Sequence, residues 1–371
     1  MPNDPSNTLQ AVEDAATELA AKTDGPLGVI VMVQRRNDRR VISAGVADLQ
    51  TGARPRVDDH MRLASVSKAF NGATALSLVT RQVLSLEDTV GKWRPDLPHE
   101  WASITLRQLL NHTSGIPNYS KENAFIDALR ASLLIAPSPL QLLSCIEKPK
   151  PSFTPGTKYA YSNSDNVIVG LMIEAATGSA YERALHSQVA VPFGLSHTTL
   201  PSDATLPRPF VCGYQRDAAG VPEDVSGLFA AGWAWASGGV VSTPEEANEF
   251  VRRYVGGRET DSKTHAEQFQ FIPGAARIRP APVTTRPGSP SSATRRATAP
   301  STVIRGTLRA TRSSSPQLRT ASGRPRCRST RSSRPSPSTI RSGSPSSGSS
   351  TSSPSAPRST ERYRSLIRIE A

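Results

Sequence analysis

Seven residue types are absent from the last hundred positions of this chain, four of which bear on whether it can fold. From Ile272 to Ala371 there is no lysine, aspartate, phenylalanine or tryptophan. The same span holds 19 Arg against two acids, Glu361 and Glu370, and is crowded with 24 Ser and 13 Pro. It carries +17, whereas the whole 371-residue chain is only +13, so residues 1–271 stand at −4. Such a segment cannot bury enough apolar surface to offset its conformational entropy, and the expectation is a disordered tail, 272–371, behind a folded body, 1–271. The slightly acidic body gives no reason to expect a nucleic-acid or anionic-membrane partner.

Other scarcities narrow the class further. Three cysteines, Cys145, Cys212 and Cys327, are an odd number with no CxxC pair, so neither a disulfide framework nor a zinc site is indicated. The six His are scattered, with no two at i, i+4, and no metal or organic cofactor is expected. No apolar run approaches 18 residues, so no membrane span is expected. The start, "MPNDPSNTLQAVEDAATELAAKTDG", lacks an apolar h-region. As written the chain reads as cytoplasmic; a start further upstream would allow secretion.

What is present reads as an ordinary enzyme body. Residues 8–22 suggest a helix, and "GVIVMVQRR" and "RVISAGVADL" suggest a hairpin across "RNDR". "SVSKAFNGATALSLVTRQVL" repeats apolar residues at helical spacing. "TLRQLL" opens with Thr105 and Gln108, a capping-box pattern. "SDNVIVGLMIEAATG" is an apolar helix stopped by Gly178, and Thr243 with Pro244 starts another. Helices and strands mix without regular alternation, which points to an α+β fold with an antiparallel sheet flanked by helices.

Three stretches could carry chemistry. In "SVSK", Ser65 and Lys68 at i, i+3 share a helix face, and a serine hydroxyl needs an adjacent base to act as a nucleophile. In "YSN", a tyrosine hydroxyl beside a lysine ammonium is expected at lowered pKa, able to pass protons, while Asn163 offers donor and acceptor to a substrate amide. In "LLNHTSGIP", His112 sits in a capped turn, where bonding to local backbone is the plainer role. Trp233 and Trp235 read as buried core, with pocket lining as the alternative.

Taken in order, "RLASVSKAF", "ITLRQLLNHTSGIPNYS" and "FTPGTKYAYSNSDNVIVGLMIEAATG" resemble the penicillin-recognising serine hydrolases. These are the class C β-lactamases, D-alanyl-D-alanine carboxypeptidases and related esterases and D-aminopeptidases. The resemblance runs from about Leu27 to about Phe271 and includes "LSLEDTV" and "ASGGVVSTPEEANEF". It implies an antiparallel sheet flanked by helices plus a mostly helical subdomain. It also implies acyl transfer on a small-molecule or peptide substrate, an ester, an amide or a β-lactam. Ser65 matches the acylated nucleophile and Lys68 its deprotonating partner; Tyr161 matches the general acid/base and Asn163 the residue holding the substrate amide.

The same resemblance implies a third motif, His-Thr-Gly or Lys-Thr-Gly, on a strand beside the site; neither occurs between Ala231 and Ala371. The tail has the composition of a GC-rich gene read out of frame. Shifted by one base, Val303-Ile304-Arg305-Gly306 can hide His-Thr-Gly, and one codon choice over Pro300–Ser314 reads "VYGHTGNTPGYTQF". The expectation is a frameshift between about residues 270 and 283, and impaired folding and activity in this chain. Two alternatives stand beside the damaged hydrolase: a non-catalytic relative that binds ligand without turnover, and a basic-tail binder of nucleic acid or anionic surface. The second has only Tyr363 in the tail to stack on a base.

Overall fold

The polar, alanine-rich start folds as helix α1 (Pro5–Ala21), which packs on a hairpin of β1 (Gly28–Arg35) and β2 (Asp38–Gly45). The hairpin is antiparallel, in register from Gly28 opposite Gly45 to Arg35 opposite Asp38. This computed structural model describes residues 5–270 apart from 24, 36–37 and 218. The expectations for the tail, including its disorder, its frame and any third motif within it, lie outside the described residues.

A short strand β3 (Met61–Arg62) leads through a 3-10 turn (Ala64–Val66) straight into α2 (Ser67–Thr80). Short helices follow: α3 (Val90–Trp93), α4 (Leu106–Leu110), α5 (Asn123–Ala131) and α6 (Pro139–Ser144). The capping box of α4 is complete: Thr105 Oγ1 accepts from the Gln108 N–H at 3.3 Å, and Gln108 Oε1 accepts from the Thr105 N–H at 3.0 Å. The central helix is α7 (Asn163–Thr177), ended by Gly178 at φ 64°. It is buried at every position from Ser164 to Ile173, which explains why its sequence is apolar without a polar face.

Beyond it come α8 (Tyr181–Leu185), a π-helical turn, α9 (Val191–Phe193) and strands β4 (Tyr214–Arg216) and β5 (Pro222–Asp224). After two 3-10 turns lie β6 (Val241–Ser242), α10 (Pro244–Gly256) and α11 (Ser262–Gln268). Thr243 caps α10 as its sequence predicts, accepting from the Glu246 N–H at 3.2 Å. All strand pairs are antiparallel, but among the described residues they form three separate two-stranded ladders: β1–β2, β3–β6 and β4–β5. The fold is thus mixed helix and sheet.

Two contacts fix α2, the helix that carries Lys68. On one side α7 crosses it, joined where Asn71 Nδ2 donates to the Asn166 carbonyl and side chain, both at 3.0 Å. On the other, Phe70 stacks on Phe250 of α10 with ring centroids 3.7 Å apart. Full burial of a ring such as Phe70 contributes about 1.5–3 kcal/mol. Gly170 lets the turn at 235–237 approach α7: a Cβ there would lie 2.8 Å from Trp235 and 2.9 Å from Ala236.

Candidate active site

Ser65 sits in the middle of the 3-10 turn, ahead of α2, on the exposed side. The residue before it, Ala64, is held at φ 46°, a left-handed conformation that costs a non-glycine residue about 1–3 kcal/mol. The chain then turns into α2, which brings Lys68 back at i+3, with Nζ donating to Ser65 Oγ at 3.3 Å. Lys68 Nζ also donates to the Ser237 carbonyl at 2.7 Å and lies 4.8 Å from the centre of the Tyr161 ring. Both of these hydrogen-bond partners are uncharged oxygens. Burial therefore lowers the Lys68 pKa to about 7, with the negative charge of Asp165 pulling against it.

Tyr161 is delivered by the extended residues ahead of α7. Its hydroxyl lies 2.7 Å from Ser65 Oγ. Partial burial raises its pKa, and the bond to Ser65 only partly offsets this. The direction is opposite to the one expected from "YSN". The physical reason is the tyrosine's own burial, which disfavours the phenolate by more than the bond to Ser65 recovers, so the tyrosine keeps its proton.

Asn163 opens α7, and its amide is fixed by a short relay. Its Nδ2 donates to Ser120 Oγ at 3.0 Å, Ser120 Oγ donates to Asn118 Oδ1 at 3.0 Å, and the Asn163 backbone N–H reaches the same Oδ1 at 3.2 Å. The structure thus brings Ser65, Lys68 and Tyr161 into one hydrogen-bonded group. Asn163 stands two residues from Tyr161 on a prearranged mount.

His112 does more than its capped turn suggests. Its backbone N–H bonds locally, to the Leu109 carbonyl at 3.2 Å, but its carbonyl accepts from the distant Ala160 N–H at 2.9 Å and its ring Nδ1 lies 2.9 Å from Asp165 Oδ2. Trp233 and Trp235 are buried, with indole N–H groups bound to the Leu133 carbonyl at 3.1 Å and to Glu182 at 2.8 Å. They are core. Sequence reading missed Ser120, Asn118, Asp165 and the Ser237 carbonyl. The polar turn "NHTSGIPNYS" and an acid in the first turn of α7 were the available signals. Among the described residues no group of three His, Cys, Asp or Glu could hold a metal, and no helix is long and apolar enough to cross a membrane.

Comparison with known proteins places the chain among relatives. The Beta-lactamase family model matches residues 12–297. The chain is 25% identical over 253 residues to the D-alanyl-D-alanine-carboxypeptidase/endopeptidase AmpH of Escherichia coli (strain K12), covering 67% of this chain and 62% of that protein. It is 32% identical over 201 residues to esterase EstB of Burkholderia gladioli, covering 51% and 50%. The chain therefore spans half to under two thirds of these curated relatives' lengths. Among solved structures, a D-stereospecific amidohydrolase from Streptomyces sp. superposes with a TM-score of 0.64 at 29% identity, covering 71% of this chain and 77% of that one.

Proposed function

Since the chain belongs to the beta-lactamase family, we propose that it is a serine hydrolase that forms an acyl-enzyme on Ser65 from an amide or ester carbonyl. The observation that carries this reading is the Ser65 hydroxyl held between an amine of pKa about 7 and a protonated tyrosine. Ser65 Oγ attacks the carbonyl carbon while neutral Lys68 Nζ takes its proton. The tetrahedral intermediate collapses as the Tyr161 hydroxyl protonates the leaving nitrogen or oxygen, and the Lys68 proton is returned to the tyrosine. A water then repeats the sequence to release the acid and restore Ser65. Asn163 holds the substrate amide beside the reacting bond. No step calls for a metal or an organic cofactor.

The substrate class follows the relatives: a D-alanyl peptide, a D-amino-acid amide, an ester or a β-lactam. Turnover is expected to be weak in this chain. Neither His-Thr-Gly nor Lys-Thr-Gly occurs in 231–371, and loss of one oxyanion donor costs about 10²–10³ in rate. The test is covalent labelling of the full chain with a fluorophosphonate and with a penicillin, followed by mass spectrometry of the Ser65 peptide. A label at Ser65 that vanishes in Ser65→Ala supports the reading. A chain left unlabelled by both, or labelled equally in Ser65→Ala, overturns it.

A further inference from the structure

Asp165 is fully buried, yet the acyl-transfer steps above do not use it. Its carboxylate accepts from Ser114 Oγ at 2.5 Å and meets His112 Nδ1 at 2.9 Å. Burial raises its pKa, while the bonds to His112 and Ser114 and the charge of Lys68 pull it back down. Burying a carboxylate is costly even when it is hydrogen-bonded, and a well-packed apolar group of similar volume often serves stability as well. The reason for this one is better sought in what it touches.

His112 touches the tyrosine-bearing segment at every residue from 159 to 162. Its ring lies 5.9 Å edge-on from Tyr159 and 4.9 Å from Tyr161, tilted by 39°. Its carbonyl holds the Ala160 N–H, and the Ser162 N–H approaches its ring at 3.4 Å. The backbone at His112 is left-handed, φ 58°, so the bracing residue is itself held under strain.

We propose that His112 and Asp165 are a positioning pair for the active site: the buried carboxylate fixes the imidazole, the imidazole holds Tyr161 against Ser65, and the pair's negative charge supports Lys68 as it becomes a cation. The pair touches no substrate. The titratable groups that face Asp165 are His112, Lys68 from α2 and Tyr159, with Tyr161 next to the imidazole. This inference rests on the acyl-transfer reading for its kinetic arm only.

That arm measures fluorophosphonate labelling of Ser65 against pH in the full chain and three variants. Asp165→Asn keeps the shape and removes the charge. Labelling should slow by about 10–100-fold at pH 7, with the midpoint of the rising limb moved to lower pH because the charge that raises Lys68 is gone. His112→Asn keeps a nitrogen at the Nδ1 position and tolerates positive φ, but loses the ring. It should slow labelling without moving the midpoint. His112→Phe keeps a ring but leaves the carboxylate unpaired, and should not restore the rate. Equal rates and an unmoved midpoint in Asp165→Asn, with a wild-type circular dichroism spectrum, overturn the inference.

A second arm needs no reactivity. In protein with 13C-labelled tyrosine Cζ, the Tyr161 resonance, assigned with Tyr161→Phe, should shift in both Asp165→Asn and His112→Asn, while that of Tyr254 stays in place. An unmoved Tyr161 resonance in both also overturns the pair. Absence of any Ser65 label in the wild type defeats the proposed function instead, and leaves this second arm to decide the pair.

Discussion

Lys68 carries the largest quantitative claim. An ordinary lysine at pKa 10.5 is neutral about 3 times in 10⁴ at pH 7, whereas at pKa about 7 it is neutral about half the time. Burial of the amine beside Ser65 and the Ser237 carbonyl therefore raises the population of usable base on the order of 10³-fold. The sign is direct: acidification protonates Lys68 and removes the base, so Ser65 reactivity should fall as pH drops through about 7. The assay is the rate of fluorophosphonate labelling of Ser65 from pH 5 to pH 10, at constant ionic strength. The expected curve rises with a midpoint near 7 and is flat by about pH 9. Lys68→Arg keeps a cation that cannot deprotonate, and should label about 10²–10⁴-fold more slowly throughout. Because the midpoint is independent of the absolute rate, a weak oxyanion site does not blur the outcome. A limb centred near pH 10, or a Lys68→Arg variant as fast as wild type, refutes the reasoning.

Further expectations follow from other parts of the molecule. Tyr161→Phe should slow acylation by an amide by about 10²–10⁴-fold but affect a p-nitrophenyl ester less, since that leaving group needs no proton; comparing the two substrates checks it. Gly170→Ala drives a methyl group into Trp235 and Ala236 and should lower stability by about 1–3 kcal/mol, read from urea unfolding. Sequencing of the coding DNA across codons 265–310 should reveal a lost or gained base whose repair reads through His-Thr-Gly. A frame that stands as written would dismiss the frameshift.

Legibility in the sequence followed the range of the interaction. The cap at Thr105, the stop at Gly178 and the cap at Thr243 are decided within four residues, and each appears where its residues require. Ser65 and Lys68 were readable for the same reason, as i, i+3 neighbours, although Ser65 lies in a 3-10 turn ahead of the helix expected to hold it. The relay from Asn163 through Ser120, and the bond from His112 to Asp165, join residues 43 and 53 apart and have no periodic signature. The pKa of Tyr161 was misjudged because a tripeptide shows the neighbouring charge but not the burial that opposes it. The strands were visible as β-rich runs, but their division into three ladders was not, since pairing partners such as Met61 and Ser242 lie far apart in sequence.

The long separations within the site also set when it can form. Ser65 meets Tyr161 across 96 residues, and Lys68 meets the Ser237 carbonyl across 169. Contacts this distant incur loop-closure entropy early and are rewarded late, so they belong to the slow end of folding. Helices such as α2 and α7 form on far shorter timescales. During refolding from urea, far-ultraviolet ellipticity should therefore recover before Ser65 becomes reactive. The interval between the two signals measures how long the chain exists as helices without a nucleophile.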